Sequence, residues 1–174
     1  MDMYLDSVKL RKFTKNDILY KVKWINDEKN NEFLHYDLPL DFNRTERWFY
    51  SKDNDIRLDL LIEYKGQPAG IIGLLDIDMN HRKAEYYITI GESELKRKGV
   101  GLKASYLLLE HAFTQLNLNK VYLNVDEKNK GAIALYEKVG FKCEGVFIND
   151  MFFRGEWINR CRYAISQFEW RNLY

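Results

Sequence analysis

One stretch decides how this chain is organised: Glu92-Ser93-Glu94-Leu95-Lys96-Arg97-Lys98-Gly99-Val100-Gly101-Leu102, between an alternating run that ends at Ile90 and a long apolar helix that begins near Gly101. Glycines let the backbone approach a ligand closely, and the first N–H groups of a helix have no partners within it. The helix dipole places partial positive charge at the same end, next to three basic side chains. The stretch therefore predicts a loop that binds a pyrophosphate group.

Upstream of this loop, the sequence predicts strands that pair as antiparallel hairpins. The apolar runs Leu58–Tyr64 and Ala69–Asp76 flank turn residues at 65–68, and Lys83–Ile90 follows as a third strand. Downstream, the pattern alternates between helix and strand. The predicted elements there are a helix after Gly101, a strand at 121–125, a helix at 128–139 that stops at Gly140, and strands at 141–153 and 157–165. This order predicts a mixed α/β fold of the α+β type, in one domain over residues 1–174.

The first part of the chain predicts one more strand and two helices. Val8–Phe13 alternates as a strand does. Thr14 or Asn16 is expected to cap a helix that begins near Asp17. The apolar stripe of that helix is predicted at Ile18, Leu19, Val22 and Ile25. A loop over 33–43 leads to a second helix through Trp48 and Phe49.

Composition excludes several classes of function. The 174 residues carry 27 Lys and Arg against 26 Asp and Glu, so a net charge of +1 gives no support for a nucleic-acid surface. No apolar run approaches membrane-spanning length, so no membrane partner is expected. Only two cysteines occur, Cys143 and Cys161, without metal-ligand or disulfide spacing. These features predict a cytoplasmic protein without a metal site.

Two motifs together resemble the GNAT superfamily of N-acetyltransferases. Lys96-Arg97-Lys98-Gly99-Val100-Gly101 is similar to the family's acyl-CoA loop, Gln/Arg-x-x-Gly-x-Gly/Ala, except that Lys96 stands at the first position. Asn129 to Phe141 resembles its second signature, Asn-x-x-Ala-x-x-Leu-Tyr-x-Lys-x-Gly-Phe. The chain looks most similar to the ribosomal-protein and spermidine acetyltransferases. The blocks 24–28 and 44–49 also resemble enzymes that acetylate nucleotide-linked amino sugars.

The resemblance implies a fold and a reaction. The implied sheet is mostly antiparallel, with about six to seven strands, helices on both faces and a splay at the acyl-CoA site. The implied reaction is attack of a primary amine on the thioester of acetyl-CoA. Tyr136 matches the family's general acid, which protonates the leaving thiolate. Glu85 corresponds in position to the catalytic glutamate of the histone acetyltransferase branch and is the candidate base, with water as the alternative.

The resemblance also implies where the two substrates bind. Backbone groups of the loop should hold the pyrophosphate of acetyl-CoA, pantetheine should lie along the preceding strand, and Asn129 should contact its amides, cap a helix, or do both. The implied donor-binding residues are Ile88, Thr89, Ile90, Lys96, Arg97, Lys98, Gly99, Val100, Gly101, Leu102, Asn124 and Asn129. The implied acceptor-binding residues are Trp24, His35, Tyr36, Asp37 and Trp48.

The nature of the acceptor amine stays open at this level. Asp37, Asp41 and Glu46 would attract a polyamine, whereas Arg44, Arg47 and Lys52 would attract a phosphate-bearing amino sugar. A peptide N-terminus is a further candidate. Two other classes of protein also stay open, a non-catalytic CoA-binding module and a nucleotide-binding protein unrelated to CoA. The resemblance also implies a homodimer through the C-terminal strands, which is the usual assembly of relatives.

Overall fold

A computed structural model describes residues 2–173, which form one mixed sheet with helices on both of its faces. Its strands are β1 (Asp2–Leu5), β2 (Val8–Lys12), β3 (Leu58–Tyr64), β4 (Gln67–Asp78), β5 (Lys83–Ile90), β6 (Lys120–Asp126), β7 (Lys142–Phe153) and β8 (Glu156–Ser166). Its α-helices are α1 (Ile18–Asn26), α2 (Phe42–Ser51), α3 (Val100–Thr114), α4 (Lys130–Val139) and α5 (Gln167–Leu173). The strand order is β1-β2-β3-β4-β5-β6-β8-β7.

The predicted fold class is confirmed, with one difference in the strand count. The sheet has eight strands where six to seven were expected, and β1 is the strand that the sequence did not predict. This strand is short and forms a hairpin with β2 through Asp6, whose φ of 52° is left-handed. A four-residue strand with alternating exposure carries almost no hydrophobic signal. The seven-residue helix α5 is also absent from the predicted elements.

The two faces of the sheet hold two separate cores. On one face, Leu60, Ile72 and Tyr86 belong to a large buried cluster with side chains of α3 and α4. On the other, Leu61 and Ile71 pack in a smaller cluster with α1. Successive strand residues point to opposite faces, so neighbours such as Leu60 and Leu61 enter different cores. Both sides of the central strands are therefore fixed.

The buried stripe of α1 differs from the predicted one. Leu19 is exposed, whereas Ile18, Lys21, Trp24 and Ile25 are buried. The prediction followed only apolar residues, and a lysine was not counted as part of a buried face. Lys21 thus lies on the side of α1 that faces the rest of the molecule.

The strands β5 and β6 separate partway along their length. They pair in parallel over only three positions, of which the last joins Glu85 to Tyr122. Beyond that point β5 continues alongside β4, while β6 continues alongside β8. The backbone of residues 86–90 consequently faces a gap in the sheet, which is the predicted splay.

Candidate active site

The loop after β5 has the geometry of an anion-binding turn. Arg97 and Gly99 both adopt left-handed backbone conformations, with φ of 64° and 79°. Lys103 N–H is the first helix donor that is bonded back along the chain, to the carbonyl of Gly99 at 3.1 Å. The N–H groups of Val100, Gly101 and Leu102 precede it, so they have no acceptor within the helix. They are free to bind a phosphate group.

Gly101 brings this loop close to α4 and to the end of β5. A Cβ atom at Gly101 would lie 3.3 Å from Leu135 Cδ2 and 3.7 Å from the Cδ1 atoms of Ile88 and Ile90. Any larger side chain would fill the space where the loop, the strand and α4 meet. This space, called the cradle below, fits the prediction that the glycine lets the protein backbone approach a ligand closely.

Tyr136 lies in the core beside the same cradle. It is 8% exposed, and its ring makes edge-on contacts with Tyr86, at 5.8 Å between centroids, and with Phe141, at 6.0 Å. The Tyr86 hydroxyl is bonded to Ser105, so it is already partnered. Burial raises the pKa of Tyr136, which keeps its phenol protonated at neutral pH. A protonated phenol suits the role of proton donor.

Glu85 marks the point where β5 and β6 part. Its Oε1 accepts a hydrogen bond of 3.1 Å from Asn124 Nδ2. The other amide atom, Asn124 Oδ1, is buried and has no partner among residues 2–173. Asn124, which is predicted to bind acetyl-CoA, and Glu85, the predicted base, are thus hydrogen-bonded to each other at the apex of the gap, where β5 and β6 separate. The unpartnered oxygen gives the apex one polar group that a ligand N–H could satisfy.

The candidate acid and base lie on opposite faces of the sheet. Tyr136 contacts Tyr86, and Glu85 precedes Tyr86 in the same strand, so their side chains point to opposite sides. The gap between β5 and β6 is the route between the two faces. This arrangement allows a donor on one side and an acceptor on the other to meet in the gap.

Asn129 has a defined structural role. Its Oδ1 accepts from the N–H of Ala132 at 3.1 Å and so caps α4. The cap fixes the start of the helix that carries Tyr136. The second predicted role, contact with the donor, stays a prediction for its amide nitrogen.

Three of the five predicted acceptor residues line one cleft. A cavity of about 340 Å³ lies between α1, α2 and β4, within the size range of small-molecule sites. Tyr36, Asp37 and Trp48 line it, together with Lys21, Leu40, Arg44, Thr45, Arg57 and Leu75. Leu75 pairs with Glu85 across β4 and β5, and directly paired residues share a face. The cleft therefore lies on the same face of the sheet as the candidate base, next to the strand position that pairs with it.

The other two predicted acceptor residues lie elsewhere. Trp24 is 1% exposed, packs on Gly91 and donates from Nε1 to Glu92 at 2.8 Å. It is a core residue that holds α1 to the start of the loop. His35 stacks edge-on against Phe153, and its Nε2 is buried without a partner among residues 2–173. Burial lowers the pKa of His35, so it is largely neutral at pH 7.

The sequence prediction missed the charged cluster at the back of this cleft. Asp59 is buried and accepts from Lys52 Nζ at 2.6 Å, Arg57 Nε at 2.9 Å and the hydroxyl of Tyr87 at 2.5 Å. Its partners hold the pKa of Asp59 below its usual value against the effect of burial. The only sequence signal was a charged residue inside the apolar run of β3, where an unpaired carboxylate would be costly.

The fold and site together define a class of protein. The family described as "Acetyltransferase (GNAT) domain" matches residues 7–142. The chain belongs to this family. The predicted resemblance to the GNAT superfamily and the predicted fold class are thus confirmed.

Its relatives include spermidine acetyltransferases. The chain is 30% identical over 167 residues to spermidine N(1)-acetyltransferase of Vibrio cholerae, which covers 94% of this chain and 95% of that protein. It is 38% identical over 110 residues to the Escherichia coli spermidine N(1)-acetyltransferase, a match that spans 63% of this chain and only 59% of that relative. The crystal structure of the Vibrio cholerae enzyme in complex with CoA and spermine superposes with a TM-score of 0.88, at 26% identity, over 97% of this chain and 100% of that one.

Proposed function

We propose that this chain is an acetyl-CoA-dependent N-acetyltransferase that acts on a primary amine of a small molecule. One observation carries the proposal: β5 and β6 separate at Glu85, directly ahead of a left-handed glycine loop. A strand edge that opens beside an anion-binding helix start is a surface for an extended ligand with a pyrophosphate at one end. Acetyl-CoA has that shape and supplies the activated acetyl group.

The residues of the chain divide the work of transfer. The loop N–H groups from Val100 to Leu102 hold the phosphates, and the free backbone of residues 86–90 orients the donor. Glu85, directly or through water, accepts the proton of the attacking amine. Tyr136 donates a proton to the departing sulfur, since its phenol carries a proton at neutral pH. The two proton transfers take place on opposite faces of the sheet.

The test is thiol release from acetyl-CoA with a panel of amines. Spermidine belongs in the panel because two of the relatives are named for it. A UDP-4-amino sugar and a peptide with a free N-terminus complete it. We expect acetylated product with at least one small amine. Tight CoA binding without turnover of any amine would favour the non-catalytic binding module instead.

We further propose that residues 1–174 form one domain. We propose that this domain assembles as a homodimer and that the protein is cytoplasmic. The edge strand β7 and its partner β8 carry exposed apolar side chains, among them Ile148, Phe152 and Trp157. Both cysteines are free thiols, which fits a reducing compartment. No helix within residues 2–173 is long and apolar enough to cross a membrane. Sedimentation of the wild type and of Phe152→Asp would test the dimer, and a monomeric wild type would contradict it.

A further inference from the structure

The side-chain amine of Lys21 is buried and has no carboxylate partner among residues 2–173. The residue is 6% exposed and lines the cleft between α1, α2 and β4. Among residues 2–173, no carboxylate oxygen lies within ion-pair distance of its Nζ, although Asp59 is in the same cluster. Asp59 is already bound by Lys52 and Arg57. An ammonium group in this position is costly unless something pairs with it.

Aromatic rings hold the Lys21 ammonium in place. Its Nζ lies 3.6 Å from the centroid of the Trp48 ring and 5.9 Å from that of Tyr36. The Arg57 Cζ and Lys52 Nζ atoms lie 4.9 Å and 5.2 Å from the centroid of the same Trp48 ring. Ring faces attract cations, but they do not neutralise them. The rings therefore fix the position of the Lys21 ammonium group but supply no negative charge to balance it.

The cleft as a whole is positive. Its side chains and those directly behind it supply four basic groups, Lys21, Arg44, Lys52 and Arg57, against two carboxylates, Asp37 and Asp59. Arg57 uses only its Nε on Asp59. Its terminal nitrogens have no hydrogen-bond acceptor among residues 2–173, so they are available for a planar anion. A polycation would meet repulsion here, whereas an anion would meet two oriented donors.

We propose that the cleft contains an anion-binding subsite formed by Lys21 and Arg57, so that the acceptor is an amine that also carries a phosphate or carboxylate group. This inference rests on the proposed function for the amine end, which would lie beside Glu85, and on the cleft alone for the anion end. Leu75 lies between the two ends, since it lines the cleft and pairs with Glu85.

Direct binding tests the subsite without catalysis. The full chain, labelled with 13C-lysine, is titrated separately with inorganic phosphate and with acetate at constant ionic strength. The Lys21 signal is assigned by its absence from Lys21→Met. We expect a saturable shift of this signal, and the anion that saturates at the lower concentration identifies phosphate or carboxylate as the preferred group. No saturable shift with either anion would overturn the inference.

Kinetics connect the subsite to the acceptor. With a UDP-4-amino sugar or an amino acid as acceptor, Lys21→Met should raise KM at least tenfold and leave kcat within about twofold. Lys12→Met is the matched control, because it removes one charge from an exposed side chain on β2 and should change neither constant. An unchanged KM for every anionic acceptor in Lys21→Met would contradict the inference. Anion binding at Lys21 without turnover of any amine would overturn only the proposed acetyl transfer.

Discussion

The loop at 96–99 and the cleft around Trp48 both carry several positive charges, but they hold them in different ways. The side chains of Lys96, Arg97 and Lys98 are exposed, and the backbone beneath them supplies the fixed donors. In the cleft, the side chains of Lys21 and Arg57 are packed against one indole ring. We propose that the first region binds through backbone geometry and the second through placed charges. Substitutions should therefore act through shape in the loop and through charge in the cleft.

The largest effect is expected from a change of shape in the loop. Gly101→Glu should abolish CoA binding in calorimetry, because the added side chain would occupy the space between Leu135 and the end of β5 and would repel phosphate. Gly101→Ala, with its Cβ only 3.3 Å from Leu135, should weaken binding without abolishing it. Gly145→Glu is the control, since a Cβ there would have no neighbour within 4 Å. Unchanged CoA affinity in Gly101→Glu would remove the loop from the donor site.

The next effect is expected at the candidate acid. Tyr136→Phe keeps the ring in its aromatic contacts but removes the proton donor, so kcat should fall by about 100-fold or more while CoA affinity is retained. Tyr86→Phe is the matched control. It removes a buried hydroxyl bonded to Ser105 and should lower stability by about 1 kcal/mol with little effect on kcat. A loss confined to CoA affinity in Tyr136→Phe would show that Tyr136 only packs the donor site.

The loop at 96–99 and the cleft around Trp48 also differ in how well the sequence predicted them. The loop and the signature that contains Tyr136 are contiguous, so local patterns were sufficient. The gap at Glu85 was implied by the family resemblance. In the structure, β5 and β6 pair only as far as Glu85 and Tyr122. The cleft is built from α1, α2, the segment between them and β4, which are not contiguous in sequence. Its key residue, Lys21, is a lysine on a buried face, which hydrophobic periodicity cannot identify.

Trp24 shows the opposite error. An aromatic residue in a predicted helix was assigned to the acceptor site, yet it packs on Gly91 and bonds to Glu92. Composition indicates that aromatic residues line a core or a cleft, but only the packing of α1 decides which. Tyr36 and Trp48 were assigned by the same reasoning and do line the cleft.

A stability measurement separates a functional Lys21 from a structural one. Burial lowers the pKa of Lys21 from 10.5 to about 7, against the attraction of Asp59 and with the help of Arg57 and Lys52. Tyr36, Asp37 and Arg44 complete the charged and titratable lining of the cleft. The unfolded chain thus binds more protons than the folded one between pH 7 and 10.5, so stability rises with pH across that window. Below pH 7 the full cost of the buried charge is present.

Lys21→Met should therefore stabilise the protein while it weakens anion binding. We expect a gain of about 3 kcal/mol at pH 6, since the ring contacts offset part of the desolvation cost, and the gain should fall below about 1 kcal/mol by pH 10. Denaturant unfolding at both pH values measures it, with Lys12→Met expected within about 0.5 kcal/mol of the wild type. A loss of stability at pH 6 would mean that Lys21 supports the fold, and a site for an anion would no longer be needed to explain it.

The smallest effect is expected from the exposed charges of the loop. Lys96 Nζ donates to the carbonyl of Lys29 at 2.9 Å, and the side chain is exposed. Lys96→Met should weaken CoA binding by no more than about threefold in 0.15 M salt and should have no effect in 0.5 M salt, because screening acts strongly on exposed charges. Exposed Lys138→Met on α4 is the control for the loss of one charge. The effect of Lys21→Met on anion binding should instead persist at 0.5 M salt, because solvent ions screen a buried charge far less. If Lys96→Met caused a tenfold loss that survived high salt, the loop too would bind through placed side chains, and the contrast between the two regions would not hold.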